Sequence, residues 1–384
     1  MLAFTKDLIR IRTENPPGTF YNECIRLIAR KLVQFGLRPT VLKVRGGGSY
    51  PRYCLMASLG IGKDTLYFHG HYDVVPALEK QFSPRVLGKR LYGRGASDMK
   101  GGLTSMIYAL RVLQLLNFKP HGRVCLVIVP DEETGGELGT NYLFEHGYLA
   151  RDSGIGMLMP EPTSGAVWHA CRGALSVLVT IKGKSTHVVL QREGINAFDQ
   201  MVELSNALHR LKVSVEKRKT KCKVARGESR NSILMLGGVC RCGTNFNIVP
   251  GECTFSIERR INPEEDFVTE KRRLLKIIDR FRKKGMNITT TVLQAGESAE
   301  TSSDHHVAEA LVDSIHDVMN IKPQFYMCPG LLEIRYYLKN GIPALAYGPG
   351  MLSKAHSPNE SIDIERIYDC AIVYALTAVK MLSS

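Results

Sequence analysis

The apolar positions of the first 170 residues fall into alternating strand and helix rhythms. Thr65-Leu66-Tyr67-Phe68 is a short apolar run that reads as a strand, and Thr104 to Leu116 repeats apolar residues at helical spacing. Val124 to Val129 is continuously apolar, the pattern of a strand buried on both faces of a parallel sheet. Before them, Leu8, Ile9 and Ile11 form the inward face of a first amphipathic helix, and Pro16-Pro17-Gly18 ends that segment. Strands alternating with helices predict an α/β domain built on a doubly wound mixed sheet.

The rhythm changes after Arg172-Gly173. Ala174 to Lys182 alternates as a half-buried strand, Asn196 to Leu211 reads as a helix, and Ile233 to Val239 and Cys253 to Ile261 read as strands. A basic helix and a Thr- and Val-rich strand, Asn287 to Leu293, complete the set. From about Glu300 the first rhythm returns: a helix over Val307 to Met319, a strand over Pro343 to Tyr347 and a terminal helix from Ile364 to Leu382. Residues 1–173 and 298–384 are therefore expected to form one α/β domain, with an α+β domain of ferredoxin-like type inserted at 174–297. With 384 residues, 44% of them hydrophobic, the chain is long enough for two such cores.

The formal net charge of +14 changes this picture little. The basic run from Lys271 to Lys284 also carries Leu274, Leu275, Ile277, Ile278 and Phe281 at helical spacing, so a solvated basic helix face accounts for its charge. The chain has no zinc-finger, RRM or KH pattern, so no specific nucleic-acid partner is expected. No apolar run reaches the ~20 residues needed to span a bilayer, and the N-terminus lacks the apolar core of an export signal. A cytoplasmic protein is expected, with its ten scattered cysteines as reduced core thiols.

Five segments gather acids and histidines near the ends of predicted strands, where ligands bind in open α/β sheets. His69-Gly70-His71-Tyr72-Asp73 offers a metal-binding imidazole, His71, with a carboxylate, Asp73, to orient its other nitrogen; taken alone it is also a common surface turn. In Gly95-Ala96-Ser97-Asp98-Met99-Lys100-Gly101-Gly102, glycines flank one acid, consistent with an acid presented to a metal or with a glycine-rich turn before a helix. The segment lacks the Gly-Lys-Ser/Thr ending of a phosphate-binding loop. Asp131-Glu132-Glu133 places three acids at the end of a buried strand, which is costly unless a cation compensates. One of the three can ligate while its neighbour acts on a bound water. Glu161-Pro162-Thr163 and His356-Ser357-Pro358-Asn359-Glu360 add an acid held extended before proline and a late-loop histidine. Two histidines with several carboxylates suit zinc, or cobalt or manganese in its place, and one acid between two similar sets suggests a dinuclear site.

In kind and order these motifs resemble the zinc aminoacylase and exopeptidase family that includes acetylornithine deacetylase, succinyl-diaminopimelate desuccinylase and glutamate carboxypeptidase. The resemblance covers nearly the whole chain. It implies two Zn2+ ions, one held by His71 and Glu161, the other by Glu133 and His356, with Asp98 bridging and a cis peptide following it. It also implies that Asp73 orients His71 and that Glu132 is general base and then acid. The inserted domain resembles the family's lid and dimerisation domain, which implies a homodimer. Gly183-Lys184-Ser185-Thr186-His187 followed by Gly194-Ile195-Asn196 matches the motif whose histidine completes the partner subunit's site, so His187 would hold an oxyanion there. Arg172, Asn247 and Arg260 match positions that bind the substrate carboxylate, as does Arg335, for which a bidentate guanidinium is well suited.

Two departures stand out. The segment between His187 and Gly194 lacks the usual proline, and Leu332-Glu333-Ile334-Arg335 replaces the usual Thr-Asp-x-Arg, a change expected to fall in the substrate pocket. The implied reaction is hydrolysis of an N-acyl amino acid, as in deacetylation or desuccinylation; a carboxypeptidase or dipeptidase acting on short peptides would use the same site.

Overall fold

A computed structural model describes residues 1–46 and 49–383. It divides into two compact units: residues 1–169, 300–326 and 332–384 form the first, and residues 170–299 and 327–331 the second.

The heart of the first unit is four parallel strands in the order Arg123–Val129, Thr65–His71, Gly154–Met159 and Ala344–Ala346. Every residue of Thr65–His71 is buried, and so are all but the first of Arg123–Val129, as continuous apolar runs require. Two antiparallel strands, Tyr53–Gly60 and Thr40–Lys43, extend one side. Leu103, Met106, Ile107 and Leu110 of the helix Gly101–Leu115 pack with Val373, Tyr374 and Ala378 of the helix Ile364–Leu382 in the same core as Leu66, Phe68, Leu126 and Leu158. From the central strand Thr65–His71 the chain passes first to the neighbour on one side, Arg123–Val129, and then to the neighbour on the other, Gly154–Met159. Where the strand order reverses in such a sheet, ligands are expected beyond the carboxyl end of the central strand, here Thr65–His71.

The first helix is Leu2–Arg10, with Leu8 and Ile9 fully buried, and the terminal helix has the expected bounds. Helix Gly101–Leu115 begins three residues earlier than its apolar spacing predicts, on two glycines. A side chain at Gly102 would meet the carbonyl oxygen of Pro160 at 2.3 Å, so glycine lets this helix lie directly against the loop that carries Glu161.

The second unit runs strand, helix, strand, strand, helix, strand. Its antiparallel sheet has the order Ile233–Cys242, Glu252–Ile261, Gly173–Lys182, Asn287–Gly296. Burial alternates residue by residue along Glu252–Ile261, the period-2 pattern of a sheet with one covered face. Val177, Val179, Phe255 and Ile257 meet Leu204 and Leu208 of the helix Ala197–Val215 and Leu274, Ile278 and Phe281 of the helix Phe267–Lys283. The basic residues of the latter helix thus lie off the core. Cys242 and Cys253 correct the expectation of ten reduced thiols. They face each other across neighbouring strands with Cα atoms 4.2 Å apart, and their sulfurs are joined. Cys240, two residues away, is exposed rather than in the core.

Candidate metal centre

His71 ends its strand with its ring fully buried. Its Nδ1 lies 3.0 Å from the Asp73 carbonyl oxygen and 3.3 Å from the Asp73 carboxylate. That contact turns Nε2 towards Asp98 Oδ1, at 3.3 Å, and Glu161 Oε1, at 3.9 Å. Neither the buried His71 Nε2 nor Glu161 Oε1 has a hydrogen-bond partner. On the other side of Asp98, its Oδ2 lies 3.3 Å from His356 Nε2, which is 3.2 Å from Glu133 Oε2. Two groups of potential ligand atoms therefore share Asp98: His71, Asp98 and Glu161, and Asp98, Glu133 and His356, each with all atoms within 4.8 Å of one another. The Asp98–Met99 peptide is cis.

The donor chemistry fits a metal. Buried polar atoms normally have partners, and an enclosed cluster of carboxylates is stable only beside positive charge. Burial pushes the Glu161 carboxyl well above the usual range, with Asp98 adding to it, and burial raises Glu133 as well. Burial alone would raise Asp98, but His356 and His71 hold it below the usual carboxylate range. Asp98 and Glu133 raise His356 to about 11, so this centre strongly favours a cation at that position. Glu132 is half-buried by surface yet enclosed by protein. That enclosure, followed by the charge of Glu161, pushes its carboxyl well above the usual range.

Asp73 does more than orient His71. Its carboxylate accepts the backbone N–H of Glu132 at 3.3 Å and of Glu133 at 3.2 Å, and the side-chain amide of Asn15 at 2.8 Å. Asn15 and these N–H bonds are not evident from the motifs. Neither is the pair formed by Arg94 and Glu360. Arg94 Nη1 donates to Glu360 Oε2 at 2.5 Å, and Glu360 Oε1 accepts the backbone N–H groups of Ser97 and Asp98 at 2.9 and 3.0 Å. Arg94 Nη2 reaches the His356 carbonyl at 3.3 Å. One buried ion pair thus fixes both the shared acid and the histidine loop. The signal for it in the chain is an arginine directly before the Gly95–Gly102 segment and a glutamate at the end of the His356–Glu360 segment. Lys100, fully buried, donates to the carbonyls of Leu8 and Ile11 at 2.9 and 2.8 Å and ties the Asp98 turn to the first helix.

The departure at Leu332-Glu333, expected in the substrate pocket, places its acid inside the protein. Glu333 is fully buried and pairs with His69 at 2.6 Å, because its longer side chain reaches back to the strand that carries His71. Arg335, expected at the substrate, is buried too. Its guanidinium donates to the carbonyls of Leu332 at 2.8 Å and Gly135 at 2.5 Å and lies 4.1 Å from the Tyr336 ring centroid.

His187, Arg172, Asn247 and Arg260 belong to the second unit. His187 is exposed and heads the turn Val188–Glu193, and the N–H of Val188 donates to the Asn247 carbonyl at 3.0 Å. Asn247 Oδ1 is buried without a partner. Arg172 is buried, with Nη2 on the Ser229 carbonyl at 2.5 Å. Arg260 pairs with Glu258 at 2.7 Å and keeps a partly exposed side chain, whereas its neighbour Arg259 is buried between Glu265 and Glu270.

Residues 67–380 match peptidase family M20/M25/M40. The chain is 28% identical over 382 residues to a probable succinyl-diaminopimelate desuccinylase of Staphylococcus epidermidis, covering 93% of this chain and 91% of the relative. Among solved structures, the M20 family metallo-carboxypeptidase Sso-CP2 of Sulfolobus solfataricus superposes with a TM-score of 0.83 at 20% identity, over 99% of this chain and 98% of that one. The Bacillus subtilis YXEP protein, described as a dinuclear metal binding peptidase, gives 0.64 at 15% identity over 100% and 99%. A match that spans most of the chain, on the same fold, makes this protein a member of peptidase family M20/M25/M40, a hydrolase of amide bonds.

Proposed function

We propose that the protein is a two-zinc amidohydrolase that removes an N-acyl group from an amino acid, of the acetylornithine or succinyl-diaminopimelate type. The observation that carries this reading is the pair of ligand groups sharing Asp98, with His71 Nε2 and Glu161 Oε1 of one group buried without hydrogen-bond partners. His71 and Glu161 would hold one ion, Glu133 and His356 the other. Imidazole with carboxylate is a common zinc set, and cobalt or manganese fits the same donors. The desuccinylase relative at 28% identity supports the acyl-amino-acid branch.

Bound zinc would supply an acidified water and positive charge beside the scissile carbonyl. The chain's own residues do the rest. Glu132 accepts a proton from the attacking water and delivers it to the leaving amine. Asp73 holds the His71 ring and the backbone of Glu132 in register. His187 donates to the developing oxyanion from a partner subunit, which makes the active form a homodimer paired through a lid domain at 174–297. Arg172, Asn247 and Arg260 form the recognition set for the substrate carboxylate. No helix among the described residues is long and apolar enough to cross a membrane; we place the protein in the cytoplasm.

The test is amine release by the zinc-loaded protein from acetylornithine, succinyl-diaminopimelate, other N-acyl amino acids and dipeptides, each with and without chelator. Chelator-sensitive release from an N-acyl amino acid is expected. Release from dipeptides alone would replace this reading with a dipeptidase.

A further inference from the structure

The loop that carries Glu132 and Glu133 is held from two sides. On one side stands Asp73. On the other stands the short helix Ile334–Lys339 with the residues just before it. Arg335 Nη2 donates to the Gly135 carbonyl, and the Tyr336 hydroxyl lies 2.8 Å from the same oxygen and 3.1 Å from Glu137 Oε1. Just before the helix, Glu333 Oε1 accepts the Thr140 hydroxyl at 2.6 Å while Oε2 pairs with His69. The Tyr337 hydroxyl lies 3.1 Å from His69 Nδ1, so both ring nitrogens of His69 are engaged. The fit is tight: a side chain at Gly136 would come within 2.3 Å of Glu333 Oε1.

We propose that Arg335 and Glu333 are positioning residues that act through the 131–140 loop on Glu132 and Glu133, and that Arg335 does not receive the substrate carboxylate. This rests on the two-zinc reading. The physical case is the burial of the guanidinium and the bonds it makes. Arg335 is buried, its two terminal nitrogens are committed to backbone carbonyls, and its flat face is covered by Tyr336. Burial and the Tyr336 ring leave little of the guanidinium open to a carboxylate, and its bond to Gly135 fixes the carbonyl three residues after the proposed base. Thr-Asp-x-Arg differs here at the acid, and the longer Glu333 is what spans to both His69 and Thr140. Misplacing a catalytic group by about 1 Å costs roughly 10²-fold in rate.

The experiment compares wild type with Arg335→Met, Arg335→Lys and Tyr336→Phe on one active N-acyl amino acid and on its carboxamide analogue. Zinc content is followed through dialysis against graded chelator. Arg335→Met is expected to lower kcat by about 10²-fold with KM within about threefold, and to leave the preference for carboxylate over carboxamide unchanged. It should also weaken retention of one zinc and leave the other tightly held, because Glu133 moves and His71 does not. Tyr336→Phe, which removes a single oxygen, should shift kcat and zinc retention the same way by less, and Arg335→Lys should restore part of both. Should Arg335→Met fail to fold, Tyr336→Phe carries the test. A KM increase of tenfold or more confined to the carboxylate substrate, with both zincs retained, would overturn the proposal. Wild type that binds no zinc and turns over no amide would instead sink the two-zinc reading on which it stands.

Discussion

The carboxylate of Asp73 accepts the backbone N–H of Glu132 at 3.3 Å, although 59 residues separate them in the chain. The same carboxylate takes the N–H of Glu133 and the amide of Asn15 and lies beside His71 Nδ1. One buried acid therefore joins the end of the central strand to the loop of three acids. Asp73→Asn keeps the shape but aims an NH₂ at one of these donors. Metal affinity should fall about 10–100-fold, the range for an altered partner of a ligating histidine. Zinc titration against a competing chelator measures this; unchanged affinity would mean that the Asp73 carboxylate does not set the position of the metal ligands.

Glu132 is enclosed without belonging to either group of ligand atoms. Glu132→Gln should keep both zincs and lower kcat by about 10²–10⁴-fold, the usual worth of a general base. Equal zinc content with near-wild-type turnover would remove Glu132 from the mechanism.

The two ligand groups differ in exposure. The His71 side chain is fully enclosed, whereas that of His356 is 50% exposed. Graded chelation should therefore take the ion at Asp98, Glu133 and His356 first. His356→Ala should bind one zinc per chain where wild type binds two, as metal analysis would show. Retention of two ions by His356→Ala would displace His356 from the ligand set.

In the second unit, Glu265 accepts from Ser232 and from the Asn262 N–H at 2.9 Å, and lies 2.6 Å from both Arg218 and Arg259. Burial would raise its carboxyl, but Ser232, the Asn262 N–H and Arg259 outweigh it and hold it below the ordinary 4.5. A carboxyl depressed in the folded state stabilises the fold above its unfolded pKa. That contribution is lost as pH falls through the folded value. Glu265→Gln should cost about 2 kcal/mol near neutral pH, the scale of a hydrogen bond to a charged group, and should flatten the loss of stability below pH ~4.5. Urea unfolding at pH 7 and at pH ~3.5 tests both; equal slopes for the two proteins would show that other acids govern the acid limb.

The long apolar runs and alternations were legible in the chain because burial on two faces or on one imposes a period that residue type alone records. Thr65–His71, Arg123–Val129 and Glu252–Ile261 are such cases. Gly154–Met159 was not legible, since two glycines and two methionines are weak strand formers, and only its place between Thr65–His71 and Ala344–Ala346 makes it one. In the same way, His71, Asp98, Glu133, Glu161 and His356 stood out by type, and His71 and Glu133 also by position just after a legible strand. What supports them did not. Arg94 with Glu360 and His69 with Glu333 meet across more than 260 residues, and Cys242 meets Cys253 only through strand register. Residue type declares what chemistry a side chain can perform. Partnership depends on strand order and register, and a buried polar group shows its partner only once the fold has brought the two together.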